Sequence, residues 1–152
     1  MKVLIPTDGS DFSRFAIETY CKALSTADDS VRVVSVVEPV SHIVGAPFGV
    51  VDDHYNSYIK KARSEAETHL DEAEAIIDGN CGVGNVETSV IIGPPARSII
   101  EDAIEWQADL IVMGSHGRGF WKRVYLGSVS TSVVHHAPCS VLVARKADYS
   151  KI

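Results

Sequence analysis

No stretch of this 152-residue chain is apolar for long enough to cross a bilayer; a spanning helix needs roughly 20 consecutive apolar residues. Aromatics are sparse at 7%, and basic side chains are outnumbered, 14 Lys and Arg against 20 Asp and Glu, for a net charge of −6. Proteins that grip nucleic acid through its phosphates need a basic face. Neither nucleic-acid nor membrane partners are therefore expected. The acidic residues concentrate in Glu65 to Asp78 and Glu101 to Asp109. Cysteine is limited to Cys21, Cys81 and Cys139. An odd count without CxxC spacing argues against a disulfide framework and against a cysteine zinc site. Cys21 and Cys139 lie in apolar segments and read as small buried hydrophobes, so a reducing cytoplasm is the expected home. Met1 to Pro6 runs at once into turn and acidic residues, which predicts a first strand and not a secretory signal. What is present is ordinary globular composition, 45% hydrophobic and 22% charged, at a length suited to one domain over 1–152.

Short apolar runs alternate with segments of helical period. Lys2 to Pro6 suits a buried strand. Ser10 or Asp11 can cap a helix in which Phe12, Phe15, Ala16, Tyr20, Ala23 and Leu24 recur at helical spacing, with Asp28-Asp29-Ser30 ending it. Val31 to Val37 is a β-branched strand. Glu38 to Asp52 exceeds the ~2–6 residues usual between strand and helix, and such loops often act as lids. Asp53 to Asp78 predicts a long amphipathic helix with Tyr55, Tyr58, Ile59, Ala62, Ala66, Leu70, Ala73, Ile76 and Ile77 on one stripe. Residues 79–84, rich in glycine, should stop it. Glu87 to Ile92 reads as a third strand, and Gly93-Pro94-Pro95 opens a helix, proline being at home in a first turn. Ala96, Ile99, Ile100, Ala103 and Ile104 supply that helix's core face. A fourth strand (Asp109 to Met113), a short helix to His136 and a fifth strand (Cys139 to Ala144) complete the chain.

This alternation predicts an α/β fold, a single open parallel five-stranded sheet with helices on both faces. Such sheets bind ligands beyond the carboxyl ends of their strands, where the strand order reverses. Asp8 and Gly114 each follow a strand end. If strands one and four are neighbours, their loops face each other across a crevice.

The most informative stretch is Ala108 to Ser132. A buried apolar run, Leu110 to Met113, breaks at Gly114; Gly117 follows after two residues and Gly127 after nine more, then Ser128, Ser130, Thr131 and Ser132 open the next segment. A strand, a glycine-rich loop and a helix N-terminus in series can hold an anion with backbone N–H groups and a helix dipole. Glycine admits the close approach that phosphate oxygens need. The competing reading is turn punctuation. Arg118, Lys122 and Arg123 put local positive charge inside the loop, as an anion site or as a solvated surface.

On these residues the chain resembles a universal stress protein of the nucleotide-binding branch over essentially its whole length. The resemblance lies in VLIPTDGSDFS, the Val33 to Pro39 strand, GPPARSIIEDAIEWQADLIVMGSHGRG and LGSVSTSVVHHAPCSVLVAR. The ATP-binding branch is marked by Gly-x2-Gly-x9-Gly-Ser/Thr, matched by Gly114, Gly117, Gly127 and Ser128. The resemblance implies ATP or AMP as ligand, with Mg2+ entering with the nucleotide near Asp8 if it enters at all. It sets Pro6, Thr7 and Asp8 at the ribose and adenine end, and Val36 on the strand whose backbone reads the adenine edge. Here Ser35-Val36 stands where the family often has His-Val, a change that backbone readout tolerates. Met113, Gly114, Ser115, His116, Gly117 and Arg118 would wrap ribose and phosphates, Arg118 through a bidentate pair. Gly127, Ser128, Val129 and Ser130 would hold the phosphates. A homodimer through the Cys139 to Ala144 strand is also implied. Asp8 keeps a second reading as a helix cap or turn residue.

Other signals are weaker. His135-His136 fit a helix C-terminus, where positive charge complements the dipole, and neither HExxH nor zinc spacing. His116 is either a phosphate contact or an exposed loop residue. His69 is placed at the polar boundary of its helix, and His42 and His54 flank the long loop. Phe120 and Trp121 would stack on a base, pack under the loop or meet a second subunit. No Ser-His-Asp order, paired carboxylates or Walker lysine can be placed at the crevice, so a catalytic set is not expected. Three functions compete: a dimeric nucleotide-binding stress sensor or switch, a slow Mg2+-dependent ATPase, and a nucleotide-independent interaction module using the acidic helices.

Overall fold

The structure of the chain, a computed structural model, describes residues 1–39, 51–118 and 126–147, the side chains of 51–53 excepted. Five strands, β1 (Lys2–Pro6), β2 (Ser30–Val37), β3 (Asn85–Ile92), β4 (Leu110–Gly114) and β5 (Ser140–Ala144), alternate with α1 (Asp11–Ala23), α2 (Val51–Asn80), α3 (Pro95–Trp106) and α4 (Ser128–His136). They form one parallel sheet in the order β3-β2-β1-β4-β5. The expected α/β architecture is the observed one. The long loop at 38–52 falls mostly on 40–50, outside the described residues, as do His42, Phe120, Trp121, Lys122 and Arg123.

Side-chain alternation builds the layers. Val3, Ile5, Val31, Val33 and Val112 point to one face and pack with Ala16, Ile17 and Tyr20 of α1 and with Leu70, Ala73 and Ile77 of α2. Leu4, Val34, Ile111 and Met113 point the other way, against Ile99 and Ala103 of α3 and Val133 of α4. A parallel sheet buried on both faces needs such near-continuous apolar strands. The order reverses between β1 and β4, which pair directly through Val3↔Leu110 and Leu4↔Ile111. Their carboxyl ends therefore open side by side.

Several local expectations change. Ser10, not Asp11, is the N-cap of α1, its Oγ accepting from the Ser13 amide at 3.3 Å. The buried face of α1 is Ser13, Ala16, Ile17, Tyr20 and Cys21, while Ala23 and Leu24 are exposed. The helix is rotated to bring Ser13, Ile17 and Cys21 inward, where Ser13 Oγ accepts from Thr7 Oγ1 at 3.1 Å; Tyr20, on the expected face, donates its hydroxyl to Asp29 at 2.7 Å. Helix α2 continues through Gly79 to Asn80, since Ile77 stays in the core and the Cys81 amide still bonds Ile77 O at 2.7 Å. Ile104 of α3 is 58% exposed and does not join the core.

The cysteine expectation is overturned. Cys21 and Cys81 form a disulfide, their Cα atoms 4.7 Å apart, that ties α1 to the segment leaving α2. Sixty residues separate them in sequence, so no local spacing announces the bond. The inference from absent disulfides to a reducing compartment falls with it. Cys139 is free and only half-buried.

Candidate functional site

The sheet's switch point opens into a cleft of about 290 Å3, near the lower end of small-molecule sites. Pro6, Thr7 and Asp8 leave β1 along one bank; Met113, Gly114, His116, Gly117 and Arg118 leave β4 along the other. Gly127, Ser128, Val129 and Ser130 enter from the start of α4, and Val36 from the end of β2. Of the residues that the resemblance sets around the nucleotide, Ser115 alone does not line the cleft. It is fully buried and ties the loop down: its amide donates to Ala144 O at 3.1 Å and its carbonyl accepts from the Gly127 amide at 2.8 Å. Ser13, Val34, Pro95 and Ile99 also line the cleft and were missed, Val34, Pro95 and Ile99 because a strand, turn or helix pattern already explains each, Ser13 because it falls off the apolar stripe of α1.

The β1–α1 loop is a chain of short-range bonds. The Ser10 amide donates to Asp8 Oδ1 at 3.1 Å, the Gly9 amide to Thr7 Oγ1 at 3.3 Å, and Thr7 Oγ1 to Ser13 Oγ at 3.1 Å. Asp8 is thus a turn-forming residue whose carboxylate nonetheless faces the cleft. Gly9 has φ +73, and a Cβ there would sit 2.2 Å from the His69 ring. Handedness and a close neighbour both demand glycine.

The β4–α4 loop is equally constrained. A Cβ on Gly114 would lie 2.7 Å from the backbone of Phe12, and one on Gly117 2.7 Å from Asp8 Oδ2. Ser130 Oγ donates to Gly114 O at 2.9 Å, pinning the start of α4 to the end of β4. Gly127 caps α4 without a side-chain bond. The first amides of a helix have no acceptor within it, so those of Ser128, Val129 and Ser130 open on the cleft at the positive end of the helix dipole. That is an anion cradle made of backbone.

The other end of the cleft is a different donor–acceptor pair. Strand β1 pairs with β2 only as far as Pro6↔Val34, with the Thr7 amide adding a bond to Val34 O at 2.8 Å. In a parallel ladder alternate residues face the same neighbour. Val37 turns to β3, its carbonyl accepting from the Gly93 amide at 3.0 Å. Val36 therefore presents its N–H and C=O toward the space β1 has vacated.

Among the described lining residues Asp8 is the sole carboxylate. The Arg118 amide donates to Asp8 Oδ2 at 3.0 Å and Arg118 Nε to Asp8 O at 2.7 Å. The rest of that guanidinium turns toward α2: Nη2 bonds the His69 ring and Nη1 lies 4.0 Å from Glu65 Oε2. Burial, then the Arg118 charge, pushes the His69 pKa down, against smaller upward effects of Glu72, Asp8 and Glu65. His69 is thus no mere boundary residue, and only the tertiary fold reveals it. His116 is not exposed: 8% accessible, its Nδ1 lies 3.1 Å from Ser115 Oγ and its ring 5.2 Å from that of Phe12. His135 and His136 occupy the last turn of α4. Among the described residues no group of three or more His, Cys, Asp or Glu could hold a metal ion, and no helix is long and apolar enough to cross a membrane.

A sequence model of the Universal stress protein family matches residues 1–145. The chain belongs to the universal stress protein family. It is 34% identical to Universal stress protein MJ0531 of Methanocaldococcus jannaschii, over 95% of this chain and 82% of that one. Identity is again 34% to a universal stress protein of Thermus aquaticus, over 94% and 97% of the two chains. Hypothetical protein MJ0577 has the same fold, with a TM-score of 0.82 over 97% of this chain and 96% of its own at 24% identity. A universal stress protein solved in complex with cAMP superposes with a TM-score of 0.69 at 25% identity, over 97% and 98% of the two chains.

Proposed function

We propose that the cleft binds an adenine nucleotide, AMP or ATP, and that the protein is a nucleotide-binding sensor or switch of the stress response. One juxtaposition carries this reading. Sheet order β2-β1-β4 sets the unpaired edge of Val36, the Asp8 carboxylate and the amide cradle of Ser128 to Ser130 in succession along a single cleft. A base edge, a ribose diol and a phosphate occur in that order in a nucleotide. Val36 N–H and C=O suit the adenine edge, a carboxylate accepts from ribose hydroxyls as in dinucleotide folds, and backbone donors with a helix N-terminus suit phosphate. The apolar walls of Val34, Pro95, Ile99 and Met113 suit the base. The cAMP complex of a relative supports the same ligand class.

The reading is binding, not turnover. Hydrolysis needs a positioned base and a place for water, and Asp8 already accepts from the Ser10 and Arg118 amides. With Asp8, facing the ribose, the single carboxylate among the described residues of the cleft, Mg2+ would arrive with the phosphates of ATP. The partner is a second copy of this chain: β5 is an edge strand whose Val141, Leu142 and Val143 are half-exposed, and apolar edges call for cover.

Denaturing freshly purified protein and identifying the released small molecules by mass spectrometry tests the ligand class. Adenine nucleotide near one per chain is expected. Its absence, with no uptake of added AMP or ATP, would favour a nucleotide-independent interaction module. Phosphate release from ATP that disappears in Asp8→Ala while binding persists would favour the ATPase.

A further inference from the structure

His69 projects from α2 against the loop that carries Asp8, where the proposed function gives it no task. Its ring packs on Gly9. Arg118 closes over it: Nη2 reaches both ring nitrogens, Nδ1 at 3.2 Å, while Nε donates to Asp8 O at 2.7 Å. A guanidinium has donors only and keeps its charge in proteins. A protonated ring would set a second cation against it, so neutral His69 is the condition of this contact.

We propose that His69 is a positioning residue for the nucleotide site: neutral, it seats the Arg118 guanidinium against α2 and Asp8, and protonated, it expels Arg118 toward the ligand's phosphate. The ligand in this proposal rests on the adenine-nucleotide reading; the seat does not. Arg118 also lines the cleft, so a guanidinium released from His69 has an anion site within its own cavity to turn to, where a charge-assisted pair with phosphate outweighs a contact with another cation.

The charges around the ring come from every element packed against it. Helix α2 brings Glu65 and Glu72, with Tyr58 and Lys61 lining the adjoining groove; the β1–α1 loop brings Asp8, and the β4–α4 loop Arg118. Arg14 of α1 pairs with Glu72 at 2.8 Å, which blunts that carboxylate's pull on the ring. With the histidine's pKa lowered by burial and by Arg118, the ring is neutral near neutral pH and takes its proton below the ordinary histidine range. His116 lines the same cleft and is the rival source of any pH response.

Two measurements test this. First, the His69 ring is titrated by NMR in the wild type and in Arg118→Met. The seat predicts that His69 takes its proton at higher pH once the guanidinium is gone; an unchanged titration overturns it. Second, cAMP affinity is measured at about pH 7.5 and at a pH below the His69 midpoint that the first measurement gives; the cyclic phosphodiester does not itself titrate there. Wild type should bind about fivefold tighter at the lower pH, and His69→Gln equally at both. A flat wild type overturns the proposal, and so does a response that survives in His69→Gln, which would assign it to His116. Failure of cAMP, AMP and ATP to bind at either pH, with the NMR coupling intact, supports the seat and overturns the nucleotide as its ligand.

Discussion

Asp8 and Arg118 hold each other across the mouth of the cleft through two hydrogen bonds, amide to carboxylate at 3.0 Å and guanidinium Nε to carbonyl at 2.7 Å, over 110 residues of sequence. The two loops of the switch point are thus one unit. A ligand that took the Asp8 carboxylate would act at the same time on the glycine loop.

The glycines should separate fold from site. In Gly114→Ala the new Cβ meets Phe12 backbone at 2.7 Å, which cannot step aside, and a loss of about 1–3 kcal/mol is expected. In Gly117→Ala it meets Asp8 Oδ2 at 2.7 Å, the mobile end of a side chain. Urea melts should then change by about 1 kcal/mol or less while AMP affinity falls about tenfold. Gly127→Ala, with its nearest neighbour at 3.4 Å and φ −66, should fold normally.

The disulfide should be a strong staple. Closing a loop over a sequence separation of 60 residues, from Cys21 to Cys81, is worth about 4 kcal/mol in the chain-entropy treatment. Thermal melts with and without reductant, and of Cys21→Ser, should show a clear fall in midpoint. Identical midpoints would mean that the bond does not form in solution.

Acid should act through Asp29. Its carboxylate, 2% exposed, accepts from Tyr20 Oη at 2.7 Å, the N-terminal ammonium at 2.9 Å and Thr26 N and Oγ1 at 3.0 Å. Burial pushes its pKa up, but these bonds outweigh burial and hold it at about 2. Because that lies below the ordinary 3.8, the stabilisation is complete above the unfolded value and is lost as pH falls from about 4 to about 2. Urea midpoints across this range should drop less in Asp29→Asn, which starts lower at neutral pH.

Arg32 should matter more than its partner. It pairs with Asp102 at 3.1 Å and Glu87 at 3.2 Å and lies 4.7 Å over the Trp106 ring. Burial raises the Asp102 pKa against the pull of Arg32, and Asp102 Oδ2 has no partner. Arg32→Met strands that carboxylate and should cost about 2–4 kcal/mol, whereas Asp102→Asn should stay within about 1 kcal/mol. Chemical denaturation of both variants checks the asymmetry.

What the sequence made legible was local. Leu110 to Met113 ending at Gly114, and Gly127 before a hydroxyl cluster, are short-range patterns whose chemistry survives folding, and from them the strands, their crossovers and the cleft's glycines could be placed. What it hid was tertiary. The face of α1 turns on Ser13 meeting Thr7, the disulfide joins residues with no common pattern, and His69 acquires meaning only when Gly9 and Arg118 arrive from two other loops. Val34 and Ile99 were legible as core residues, and a core residue at the floor of a cleft carries no separate mark.

The most direct test is to titrate isotopically labelled protein with AMP and follow its backbone amides by NMR. Saturable shifts led by Val36, Gly117 and the Ser128, Val129 and Ser130 amides are expected. No shifts at millimolar AMP, or shifts confined to residues away from the cleft, would contradict nucleotide binding in the cleft.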